Sequence, residues 1–85
     1  MKTIKECAQA ALDMQEACNL SGVLATWMNV RDVLNASPER EGTHWFNNHP
    51  VNQLFASKVH DLCGMGFSDG VAFSNAYESC KKLVE

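Results

Sequence analysis

Apolar residues recur at three- and four-residue steps through most of this chain, and that spacing predicts helices. Ile4, Cys7, Ala8, Ala11, Met14 and Cys18 fall on one stripe of a helix over about residues 4–18, with Lys5, Gln9, Asp13 and Glu16 facing outward. Thr3 and Glu6 have the spacing of a capping box, in which the Thr hydroxyl accepts from the Glu amide and the Glu carboxylate returns to the Thr amide. Asn19-Leu20-Ser21-Gly22 then breaks the pattern. Asn and Ser compete with the helix for backbone hydrogen bonds, and either can cap a second helix running to about Leu34. Its apolar residues, Val23, Leu24, Trp27, Met28, Val30, Val33 and Leu34, make a wide stripe, which predicts neighbours on more than one side.

Residues 35–42, NASPEREG, read as a loop, because Pro38 opposes helix through Ser37 and the charges that follow want water. The next segment, from Thr43 to Asn48, predicts a single helical turn carrying Trp45 and Phe46. A third main helix starts at Asn48-His49-Pro50, with Pro in the first turn where its missing amide costs little. Val51, Leu54, Phe55, Val59 and Leu62 form its inward face, and it ends near Gly64. After the connector Gly64-Met65-Gly66-Phe67, Ser68 is placed to cap a fourth helix, with Asp69 near the positive end of its dipole. Val71, Ala72, Ala76, Cys80, Leu83 and Val84 are its inward positions, with Phe73 and Tyr77 beside them. No segment alternates with period two. The expectation is an all-α fold: a compact bundle of about four short helices in a single domain over residues 1–85.

Composition narrows the function classes. An apolar share of 46% is enough to offset the entropy of ordering, so disorder is not expected. The formal net charge is −3, and the bases Lys2, Lys5, Arg31, Arg40, Lys58, Lys81 and Lys82 are scattered, which argues against nucleic acid as a partner. No apolar run is long enough to span a bilayer, so no membrane role is expected. Met1-Lys2 lead directly into a helical pattern without a secretory leader, which predicts a cytoplasmic protein. The cysteines at 7, 18, 63 and 80 are then expected as reduced thiols packed in the core, with disulfides and metal ligation as the alternatives.

Each constellation with chemical potential has a bland counterpart. His60 and Cys63 are three apart on a helix, with His44 and His49 upstream, and zinc accepts such ligands, yet no tight knuckle or double-His spacing accompanies them. A Cys–His nucleophile pair lacks the turn that would expose the thiol. The carboxylates Asp13, Glu16, Asp32, Asp61 and Asp69 fall on helix surfaces or starts instead of flanking a cleft. Neither catalytic, metal-binding nor cofactor-binding residues are therefore assigned, and the chain reads as non-enzymatic. The third and fourth main helices have the dimensions of a helix-turn-helix, in which Asn75 could read an adenine edge, although Asp69 opposes approaching phosphates. Trp27, Trp45, Phe46, Phe67 and Tyr77 are many large rings for a small core. Trp45, Phe46 and His49 are thus the expected contacts for another protein or for a second copy in a homodimer, against the alternative that both rings simply close the bottom of the bundle.

Two stretches taken together, Cys18-Asn19-Leu20-Ser21-Gly22-Val23 and Gly42-Thr43-His44-Trp45-Phe46-Asn47-Asn48-His49-Pro50-Val51, resemble small uncharacterised proteins encoded by bacterial phages, plasmids and integrated elements. The resemblance covers about half the chain and transfers no catalytic residue. It implies a bacterial, cytosolic accessory protein of a mobile element. The expected function is protein–protein interaction, directed at a host or defence complex; the alternative is a small DNA-binding regulator using the helix-turn-helix-like pair.

Overall fold

The computed structural model describes residues 3–42, 44–65 and 70–85. Helix α1, Ile4–Asp13, starts where the Thr3 hydroxyl accepts from the Glu6 amide at 3.1 Å and donates to the Glu6 carboxylate at 3.2 Å. It runs into a 3-10 turn, Met14–Glu16, and the chain then becomes extended at Ala17. Helix α2, Leu20–Asn35, is capped by Asn19, whose side-chain oxygen accepts from the Gly22 amide at 3.3 Å. A loop leads to the short turn α3, Trp45–Asn48. Helix α4, Pro50–Leu62, follows at once, and α5, Gly70–Leu83, closes the bundle. No strand occurs among the described residues, so the fold is all-α.

Helix α4 is the hub. It packs against α5, α2, α1 and α3, and contributes Phe55, the largest fully buried side chain among the described residues. One apolar cluster gathers Cys7, Ala8 and Ala11 of α1, Val23, Val30 and Leu34 of α2, Val51, Leu54 and Phe55 of α4, and Ala76 and Cys80 of α5. Val59 and Leu62 pack against that cluster half-buried, as do Trp45 and Phe46. Gly64 terminates α4 at φ +74°, the left-handed conformation that glycine adopts without steric penalty.

Four expectations are corrected. The first helix stops short of Cys18: α1 ends at Asp13 and its 3-10 turn at Glu16, Ala17 is extended and Asn19 must be extended to cap α2, and beside this corner the Gln15 carbonyl accepts from the Lys58 ammonium of α4 at 2.9 Å. Cys18 and Cys63 are consequently exposed, while Cys7 and Cys80 are buried, so only half of the thiols lie in the core. On α2, Leu24 and Met28 are exposed instead of inward: the second neighbour that its wide stripe requires is absent from the described chain. On α5, Val71 and Leu83 are exposed, since the stripe is narrower than its apolar content and only Ala76 and Cys80 reach full burial. The proposed cap Ser68, its neighbour Asp69, and the ring of Phe67 lie outside the described residues.

Candidate functional site

The corner between α3 and α4 turns on one residue. The His49 amide donates to the Phe46 carbonyl at 3.2 Å and so ends α3, while its Nδ1 accepts from the Val51 amide at 3.2 Å and so caps α4. Its backbone is extended, φ −70° and ψ 135°, as expected for an N-cap followed by proline. The imidazole sits 4.8 Å from the Trp45 ring, tilted by 55°. Burial disfavours the imidazolium and lowers the His49 pKa below its ordinary 6.5, with Glu39 pulling weakly the other way. Glu41, His44, Trp45, Asn48, His49 and Pro50 together line a cleft of about 360 Å³.

Consecutive side chains on a helix diverge by about 100°, so Phe46 leaves this cleft and faces α2. There it lines a second groove, also about 360 Å³, with Leu24, Trp27, Met28 and Arg31. One of its walls, Trp27, is held on two sides. The Trp27 indole donates to Asn52 Oδ1 at 2.9 Å and lies nearly parallel to Phe55, with centroids 6.4 Å apart and planes 7° apart. Asn52 in turn donates to the Asn47 carbonyl at 3.4 Å, so the first turn of α4 ties α2 to α3. Leu24 and Met28 complete the groove, 39% and 57% exposed, at helical spacing with Trp27 and Arg31.

Of the three expected contact residues, the structure therefore brings Trp45 and His49 together and sends Phe46 to the opposite side of the turn. All three are half-buried. Leu24 and Met28, which the hydrophobic pattern placed in the core, are the additional members. Their signal in the sequence was the excess width of the α2 stripe. A larger depression, about 760 Å³, lies between the start of α1 and the ends of α2 and α5. Its apolar floor, Ile4 and Val33, is already packed against the core, and Leu83 alone among its large apolar side chains is exposed.

Among the described residues, no group of three or more His, Cys, Asp and Glu side chains is arranged to hold a metal. Burial raises the thiol pKa of Cys7, and pushes that of Cys80 up to about 11, away from nucleophilic thiolate at neutral pH. On the helix-turn-helix-like pair, Lys58 is largely buried beside Asp61 at 3.9 Å, and Lys81 lies 3.8 Å from Glu78 and over the Tyr77 ring. Asn75 is exposed on α5, and residues 66–69 between the two helices lie outside the described set. No described helix is long and apolar enough to cross a membrane. In comparisons with known proteins, no family model, no curated protein and no solved structure matches this chain.

Proposed function

We propose that this protein is a non-enzymatic binding protein that captures another protein through the α2–α3 groove. The observation that carries the reading is the juxtaposition of Leu24 and Met28, both exposed, with the half-buried rings of Trp27 and Phe46. Isolated exposed apolar residues are ordinary, but a contiguous apolar groove with aromatic walls is a usual setting of interface anchors. The stripe Leu24, Trp27, Met28, Arg31 suits the apolar face of a partner helix, with Arg31 at one end to meet an acidic group. Trp45 and His49 border the same turn and form the rim of the contact. With the resemblance to mobile-element proteins, the expected partner is a component of a host or defence complex.

The test compares the wild-type chain with Met28→Asp, which puts a charge at the most exposed point of the groove and leaves the core untouched. In tagged pull-downs from producing cells, a partner held by wild type and lost by Met28→Asp, at unchanged helical content and melting, supports the reading. Equal recovery by both proteins overturns it. Sedimentation of the purified chain across concentrations identifies a second copy as the partner if the mass rises for wild type alone.

A further inference from the structure

The α3–α4 corner has a property independent of what the groove binds. We propose that His49 is an acid-sensitive latch: protonation of its ring removes the acceptor that caps α4 and loosens the α3 turn bearing Trp45 and Phe46. The cap needs a lone pair on Nδ1, which the neutral imidazole offers when its proton is on Nε2. The imidazolium carries protons on both nitrogens and can only donate, so the Val51 amide loses its partner. One residue serves both elements here, ending α3 with its amide and starting α4 with its ring. Losing the ring contact also removes a support of Trp45, 4.8 Å away.

The surroundings set the sign. Glu39, Glu41 and His44 of the loop are the titratable groups near the ring. Neither α3 nor the first turn of α4 contributes an ionisable side chain, and Arg31 of α2 lies in the groove with Phe46. Glu39 favours a cation and the Trp45 ring stands 4.8 Å away at a tilt of 55°, but neither replaces the lost acceptor. Burial outweighs Glu39 and holds the ring neutral, so that the latch is closed near neutral pH and opens on the acid side of an ordinary histidine.

Nuclear magnetic resonance of the labelled full chain, titrated from about pH 7.5 to about pH 4.5, reads this directly. The expected result is a His49 midpoint below 6.5, with the Val51 amide shift and the Trp45 indole shift moving at that same midpoint. The Val51 exchange protection factor should fall about fivefold, as for loss of one cap. His49→Asn, which caps without titrating, should abolish the response, and His44→Gln should keep it. Glu39→Gln, which touches no cap bond, should move the His49 and Val51 midpoints lower together. A Val51 amide that stays constant while His49 titrates overturns the proposal, as does a His49→Asn protein that follows the wild-type curve.

Discussion

Cys7 and Cys80 are completely covered on α1 and α5, whereas Cys18 sits in the extended segment before α2 and Cys63 at the end of α4, both open to water. A thiol reagent needs access and a thiolate, and burial denies the first pair both. A colourimetric thiol titration of the native protein should therefore show two fast cysteines, and two that react only once denaturant has unfolded the chain. Substituting Cys18→Ser and Cys63→Ser should remove the fast phase entirely; fast labelling that survives both changes would show the buried assignment to be wrong. This division was not legible in the sequence, where all four cysteines fall on apolar stripes. It depends on where each helix ends. Just past the end of α1 the Gln15 carbonyl accepts from the ammonium of Lys58, 43 positions away along the chain. Spacing of side chains carries no trace of such a partner.

Elements were legible where their signals are local. Thr3, Asn19 and His49-Pro50 mark the starts of α1, α2 and α4, and Gly64 marks the end of α4, all within one turn of the boundary. The aromatic turn α3 was readable from the charged loop before it and the proline after it. Missing from the sequence was the split of its side chains: Trp45 and His49 share one cleft and Phe46 belongs to the groove with Leu24 and Met28, a division set by how the turn docks on α2 and α4. Two glycines test the local reading of helix ends. Gly22 lies in the first turn of α2, where an added Cβ would meet only the Asn19 side chain at an ordinary 3.7 Å. Gly22→Ala should stabilise by about 0.5 kcal/mol, by cutting the freedom of the unfolded chain. Gly64 has open space around it but φ +74°, so Gly64→Ala should destabilise by about 1 kcal/mol through the backbone alone. Urea denaturation midpoints moving in opposite directions would bear this out; a shared direction would mean that the ends are not set by these residues.

For the molecule as a whole, the Cα radius of gyration of 12.0 Å equals the roughly 12 Å expected of a folded chain this long. A domain of this size has a stability of roughly 4–13 kcal/mol, so a single cap worth about 1 kcal/mol is visible in the global balance. Two effects of acid then oppose each other. The formal charge is −3 with its three histidines neutral, so protonating them relieves self-repulsion and favours the compact state. At His49 the folded pKa lies below the unfolded value of 6.5, so the unfolded chain binds the proton more readily. Its contribution to stability is fully present above the unfolded value and is lost as pH falls through the depressed folded value. In His49→Asn that contribution is absent while the other histidines and all carboxylates remain. Urea unfolding of the two proteins at a series of pH values should give curves that run parallel above about pH 7 and separate below it, wild type losing stability faster. Curves that stay parallel to pH 5, or a wild type that gains relative to His49→Asn, would mean that protonating the imidazole costs the folded chain nothing, and that the α3–α4 corner does not sense acid.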